Sequence, residues 1–181
     1  MARLITALTL LASVLATSLP ARAQAVAARV GVIPVIGAAP IFVAHGLGWT
    51  KEAGLDLTFT TFESGPNMIQ ALASGTIDIY VAGVAPLAVA RSKGVDVKVV
   101  AATAVEEMVV VASPKLAAHF APGVAAAEAF RRFRAAEGKP ARLATQPPGS
   151  VPNTTLQHWL WQVSGAAKAD AELISMGIDA T

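Results

Sequence analysis

Apolar positions change their period in a regular order along this chain. Ala28 to Ile36 (ARVGVIPVI) is a short, nearly continuous apolar run, the pattern of a buried parallel strand. Gly37, Ala38, Ala39 and Pro40 then open a helix, with Pro40 at a position where its missing N–H leaves no bond unmade. Ile41, Phe42, His45 and Trp49 fall near one face of that helix, and Lys51-Glu52-Ala53-Gly54 stops it. Leu55 to Phe62 alternates as a strand with unequal faces. The spacing of Met68, Ile69 and Leu72 predicts a helix that ends at Gly75, Ile77 to Val81 alternates as a strand, and Gly83 turns into a second helical run. Val95 to Ala102 and Met108 to Ala112 predict two further strands, with a link between them, Thr103 to Glu107, short enough that they need not be joined by a helix. Strict βα alternation breaks there, as it does where a doubly wound chain changes sheet direction or enters a second lobe.

Beyond Pro114, Pro122 and Gly123 a helix runs from Ala125 to Glu137 and is closed by Gly138. Ala141 to Thr145 is a short strand, and Gln146-Pro147-Pro148-Gly149-Ser150 leads into a helix from Val151 to Val163 that Gly165 ends. Ser150 suits its N-cap and Pro152 its first turn. Glu172 to Met176 predicts a last strand, and Gly177 to Thr181 reads as the cap of a further helix.

Several helices begin just past a strand end, at Ser64-Gly65-Pro66, at Gly83-Val84-Ala85-Pro86 and at Ser150-Val151-Pro152-Asn153. The first turn of a helix leaves backbone N–H groups unpaired, so these starts gather donors on one edge of a parallel sheet. Each start carries roughly half a positive charge, and several converging starts hold an oxyanion without a salt bridge. A small ligand would bind along that edge, although a single Gly-Ser turn such as the one at Ser150 also reads as plain capping.

Composition narrows the function classes. With 181 residues, 54% of them hydrophobic and 14% charged, the chain has the apolar content of a globular core. Its first 23 residues stand apart: Arg3, an apolar run from Leu4 to Leu19, then Ala21-Arg22-Ala23 make a secretory signal peptide with cleavage after Ala23. Without residues 1–23 the 14 basic residues fall by Arg3 and Arg22 to 12, against 12 acidic ones. A neutral chain with no basic stripe argues against nucleic-acid binding. The absence of cysteine excludes a disulfide framework, a thiolate metal site, a cysteine nucleophile and a lipidated N-terminal cysteine, so the exported product is expected to be soluble and periplasmic rather than a lipoprotein.

The remaining polar residues have structural readings. His45 on an apolar helix reads as a half-buried packing residue, and His119 has no companion at metal-ligand spacing. Arg131, Arg132 and Arg134 read as solvated complements to a helix end rather than an anion clamp. Trp159 reads as core packing. No G-x-S-x-G elbow or triad spacing occurs, so no catalytic residue, metal or cofactor is expected.

The segments VGVIPVIGAAPIFVAHGLGWTKEAGLDLTF, ESGPNMIQALASGTIDIYVAGVAPLAVARSKGVDVKVVAA and PPGSVPNTTLQHWL resemble the periplasmic substrate-binding proteins of ABC importers. The similarity runs from Arg29 to Thr181 and points to the nitrate, aliphatic sulfonate and taurine branch, which shares its domain with thiamine-pyrimidine synthases. The most specific parts are Gly46 to Asp56 (GLGWTKEAGLD) and Ala71 to Asp78 (ALASGTID). The resemblance implies a two-lobed α/β clamshell of the type II kind, with lobe one in residues 24–111 and an incomplete second lobe in residues 112–181, since family members run well beyond this length. It implies a ligand held in the cleft by Gly37, Ala38, Ala39 and Pro40, by Ser64 and Gly65, by Gly83, Val84 and Ala85, and by Ser150, Val151 and Asn153. The partners it implies for a monomer are a small anionic solute and an inner-membrane permease with its ATPase. A pyrimidine-synthase-like enzyme and a truncated fragment without function are the alternatives.

Overall fold

The computed structural model describes residues 24–105 and 108–177. The expected leader, residues 1–23, and the end of the expected helix cap from Ile178 onward lie outside the described residues.

The first sheet has three parallel strands, β1 (Val26–Val32), β2 (Leu55–Thr61) and β3 (Ile79–Val81), in the order β2-β1-β3. Val26 pairs with Leu55 and Val32 with Thr61 on one side of β1, and Val30 to Val32 pair with Ile79 to Val81 on the other. Parallel neighbours need crossovers, which are α1 (Ala39–Gly46) with α2 (Trp49–Glu52) between β1 and β2, and α3 (Gly65–Ala73) between β2 and β3. α4 (Ala85–Ser92) follows β3. Both faces of the sheet are covered. Val30, Val32 and Leu57 form a core with Ile41 and Phe59, and Ile33, Met68 and Ile77 form another with Phe62 and Leu72.

The second sheet is the parallel pair β4 (Ala141–Thr145) and β5 (Ala171–Ser175), from Ala141 against Ala171 to Thr145 against Ser175. Before it come α5 (Pro114–Ala117) and α6 (Ala126–Glu137); between its strands runs α7 (Val151–His158), continued as a π turn over Trp159–Val163. Their apolar stripes enclose Phe130, Leu143, Leu156 and Leu160. Phe130 meets Phe120 edge-on at 5.3 Å and Trp159 at 6.0 Å, so the aromatic groups pack the core.

Several expectations change. The first strand ends at Val32 rather than Ile36, because Pro34 has no N–H for a ladder, and Ile36–Ala38 forms a 3-10 turn. The first helix breaks at Gly48, whose φ of 82° is left-handed, so Trp49 lies on α2 and no residue of α1 is buried. The stretch punctuated by prolines contains α5, capped by the Ser113 hydroxyl, which accepts from the Leu116 N–H at 3.4 Å. The largest correction concerns Val95–Ala102 and Met108–Ala112, where the described residues form no strand. Only Val97 is buried, under a 2.7 Å bond from the Arg91 guanidinium to its carbonyl, whereas Val100 is 91% and Val111 88% exposed. An apolar run reports what a segment can bury; a strand also needs a neighbour, and neither segment pairs with one among the described residues.

Candidate functional site

Strands of one direction deliver their following turns to a common edge. The carboxyl edges of the two sheets face each other: the turn after β2 meets the turns after β4 and β5, and the turn after β3 meets the start of α7. Val151 presses so closely on Gly83 that a Cβ there would lie 2.3 Å from Val151 Cγ2, and one at Gly149 would lie 3.8 Å from Pro66. Only glycine at position 83 lets the two edges reach this distance.

The helix starts on the two edges are built alike. Ser64 and Ser150, each 1% exposed, are extended N-caps whose hydroxyls accept from the N–H of Asn67 at 3.4 Å and of Asn153 at 3.3 Å. A proline follows in the first turn of both helices, at Pro66 and Pro152. The same tetrapeptide pattern, Ser-x-Pro-Asn, therefore opens α3 and α7. With each serine bonded to one first-turn N–H and the following proline carrying none, the first-turn donors left are the N–H groups of Gly65 and Val151, residues that both line the junction of the two edges.

A cavity of about 30 Å³ lies at that junction. Ile33, Gly65, Tyr80 and Gly83 wall it from the first sheet, and Gln146, Ser150 and Val151 from the second. The Tyr80 hydroxyl donates to the Gly83 carbonyl at 3.0 Å, and burial raises its pKa, so it stays a protonated donor. A Cβ on Gly65 would lie 2.7 Å from that hydroxyl. None of the walls is ionisable as a cation. The volume is about the liquid share of one water molecule, so any larger solute needs the edges to part. Among the described residues no hydrogen bond or ion pair joins the two sheets, which leaves apolar contacts such as Val151 on Gly83 to be broken.

Of the residues expected at the site, Gly65, Gly83, Ser150 and Val151 are walls, with Ser64 and Asn153 buried behind them as cap and capped residue. Gly37 and Ala38 are buried in the 3-10 turn, and Ala39 and Pro40 open α1; Ile33, the residue just after β1, lines the cavity instead. Val84 lines a separate, open groove of about 570 Å³ with Leu87, Arg91 and Val97, and Ala85 starts α4 without reaching the cavity. Sequence reasoning missed Tyr80 and Gln146. The repeated Ser-x-Pro-Asn was a signal for the two matched edges, while Tyr80 and Gln146 carry no local mark.

Other candidates are used elsewhere. His45 lies edge-on to Phe59 at 5.0 Å, with Nδ1 3.4 Å from the Thr50 hydroxyl, and His119 lies edge-on to Phe133 at 5.7 Å. Arg131 and Arg132 pair with Glu128, and Arg134 reaches Asp170 at 3.0 Å. Among the described residues no cluster of three metal-ligating side chains occurs.

The alkanesulfonate-binding protein SsuA from Xanthomonas axonopodis pv. citri, solved bound to MOPS, superposes with a TM-score of 0.55 at 21% identity. The match covers 87% of this chain and 50% of that one. The periplasmic aliphatic sulphonate binding protein SsuA from Escherichia coli gives a TM-score of 0.44 at 23% identity, over 83% of this chain and 44% of that one. This chain thus spans about half the length of these solved proteins. No curated protein matches significantly. The first superposition shows a shared α/β fold with parallel sheets, and the NMT1-like family profile matches residues 21–179. The chain belongs to the NMT1-like family.

Proposed function

We propose that this chain is the solute-binding component of an ABC importer, directed to the periplasm by residues 1–23. In this reading residues 24–111 supply one lobe and residues from 112 onward part of a second, and a small anionic solute of the sulfonate, nitrate or taurine kind is held between them. The closed form then presents the solute to an inner-membrane permease. The observation that carries the reading is the pair of buried, serine-capped helix starts at Ser64 and Ser150 on opposite walls of one cavity without a cation. Helix ends that converge in this way favour negative charge through donors already oriented, so little reorganisation is needed on binding. The MOPS, a sulfonate, bound by the Xanthomonas axonopodis protein supports the class of solute.

Binding rather than catalysis suits the walls. They offer hydroxyl, amide and alkyl groups, with Tyr80 held protonated, and such groups grip a solute without activating it. Closure needs a solute that prefers the closed state, because only differential affinity shifts the equilibrium. Calorimetric titration with alkanesulfonates, nitrate and small carboxylates is expected to give saturable one-to-one binding for one of these series, at micromolar concentrations (about −8 kcal/mol). Absence of binding across all three series contradicts the reading.

A further inference from the structure

Among the described residues, buried polar side chains are bonded everywhere but at one place. Seven polar residues are buried, and five of them hold a partner: Thr50 lies beside His45, Ser64 and Ser150 accept from the N–H groups they cap, Asn153 accepts from Gln157, and Asp170 from Arg134. The two that hold none are consecutive. Thr145, 5% exposed, closes β4 with an Oγ1 that meets no hydrogen-bond partner. Gln146, 9% exposed, follows it into the cavity wall and makes no side-chain hydrogen bond among the described residues.

A buried carboxamide without a partner destabilises the free protein, and folded interiors seldom keep one. Both unmet groups stand at the edge of the second sheet that faces the first, so the missing partner is one that arrives between the edges. Of the other polar wall side chains, Tyr80 has given its proton to the Gly83 carbonyl and the Ser150 oxygen holds the Asn153 N–H, whereas both donors of Gln146 Nε2 are unspent. We infer that Gln146 is a specificity-determining residue that binds the solute directly, its Nε2 donating to an oxygen of the anion alongside the first-turn N–H groups of Gly65 and Val151. An amide neither gains nor loses a proton here, so this grip on a solute that stays ionised does not change with pH. This rests on the proposed anion-binding reading of the cavity.

The probes are ethanesulfonate and nitrate, which stay ionised at every pH used, titrated by calorimetry. Gln146→Leu is expected to weaken whichever ion the unaltered chain binds by about 10- to 100-fold, as loss of one hydrogen bond to a charged group does. Its denaturant midpoint without ligand stays level or rises, because the unmet amide is gone. Gln146→Glu keeps the shape and is expected to abolish binding at neutral pH, where a carboxylate faces the anion. Binding returns towards about pH 4, where the new carboxyl is protonated and donates as the amide did. Tyr80 in the wall and Glu63 beside Gly177 are unchanged in that variant, so the unaltered chain, expected to bind at both pH values, controls for them. If either variant binds as tightly as the unaltered chain at neutral pH, if Gln146→Leu lowers the midpoint, or if Gln146→Glu recovers nothing in acid, the role of Gln146 is overturned and the anion site stands. If the unaltered chain binds neither ion, the inference falls, and with it the reading of the cavity for sulfonate and nitrate.

Discussion

The two sheets solve the same local problem over different interiors. The first packs one cluster around Val30, Val32 and Leu57 and another around Ile33, Met68 and Ile77, while the second rests its two strands on an aromatic and leucine cluster around Phe130 and Leu160. Yet each ends its site-facing edge in Ser-x-Pro-Asn, with the serine buried and bonded to the asparagine N–H. Site geometry therefore resides in the caps and in the close approach at Gly83, and the cores act as separate supports.

The strongest way to break this comparison is to empty one core. Phe130→Ala should cost about 3 to 5 kcal/mol, measured by denaturant unfolding, and hydrogen exchange should accelerate in β4 and β5 while β1 keeps its protection. Equal acceleration in both sheets would show a single cooperative interior.

Next in size is the contact between the edges. Gly83→Ala places a methyl group against Val151 and should weaken solute binding by roughly 10- to 100-fold, as about 1 to 3 kcal/mol of overpacking does. Adding Val151→Ala should recover most of that loss, and failure of the recovery would mean that closure does not run through this contact. The caps come third. Ser64→Ala and Ser150→Ala should each lower stability by about 1 kcal/mol, with additive effects in the double variant. A large difference between the two would break the equivalence drawn from the shared tetrapeptide.

The smallest effect lies at the far end of the first sheet. There Arg29 holds both carboxylate oxygens of Asp78, at 2.6 and 2.9 Å, and its backbone N–H adds a third bond at 2.8 Å. These bonds lower the Asp78 pKa from 3.8 to about 2. The pair's contribution is therefore present above the unfolded pKa and is lost as pH falls from there through about 2. Asp78→Asn should remove that part of the acid dependence and leave the second sheet's acid dependence unchanged; an unaltered acid titration of the first sheet would refute it.

Where the information was local, the sequence was readable. The strand Ala141–Thr145, the cap at Ser150 and the helix from Val151 to Val163 follow from period, cap chemistry and Gly165, and all appear in the fold. The valines of 95–102 and 108–112 are as apolar and β-branched as those of β1, but such a run carries no record of whether a partner strand lies alongside. The site divides in the same manner. Gly65, Gly83, Ser150 and Val151 were legible as strand-end helix starts, whereas Tyr80 and Gln146 become walls only because two edges distant in sequence meet.

The central claim is that both edges share one solute and close on it. The chain has no cysteine, so Lys51→Cys and Lys168→Cys, at exposed sites on the two sides, provide unique positions for spin labels. Pulsed electron resonance should show a broad distance distribution that narrows and shortens when the anion identified by calorimetry is added to saturation. An unchanged distribution with the anion bound would contradict the account.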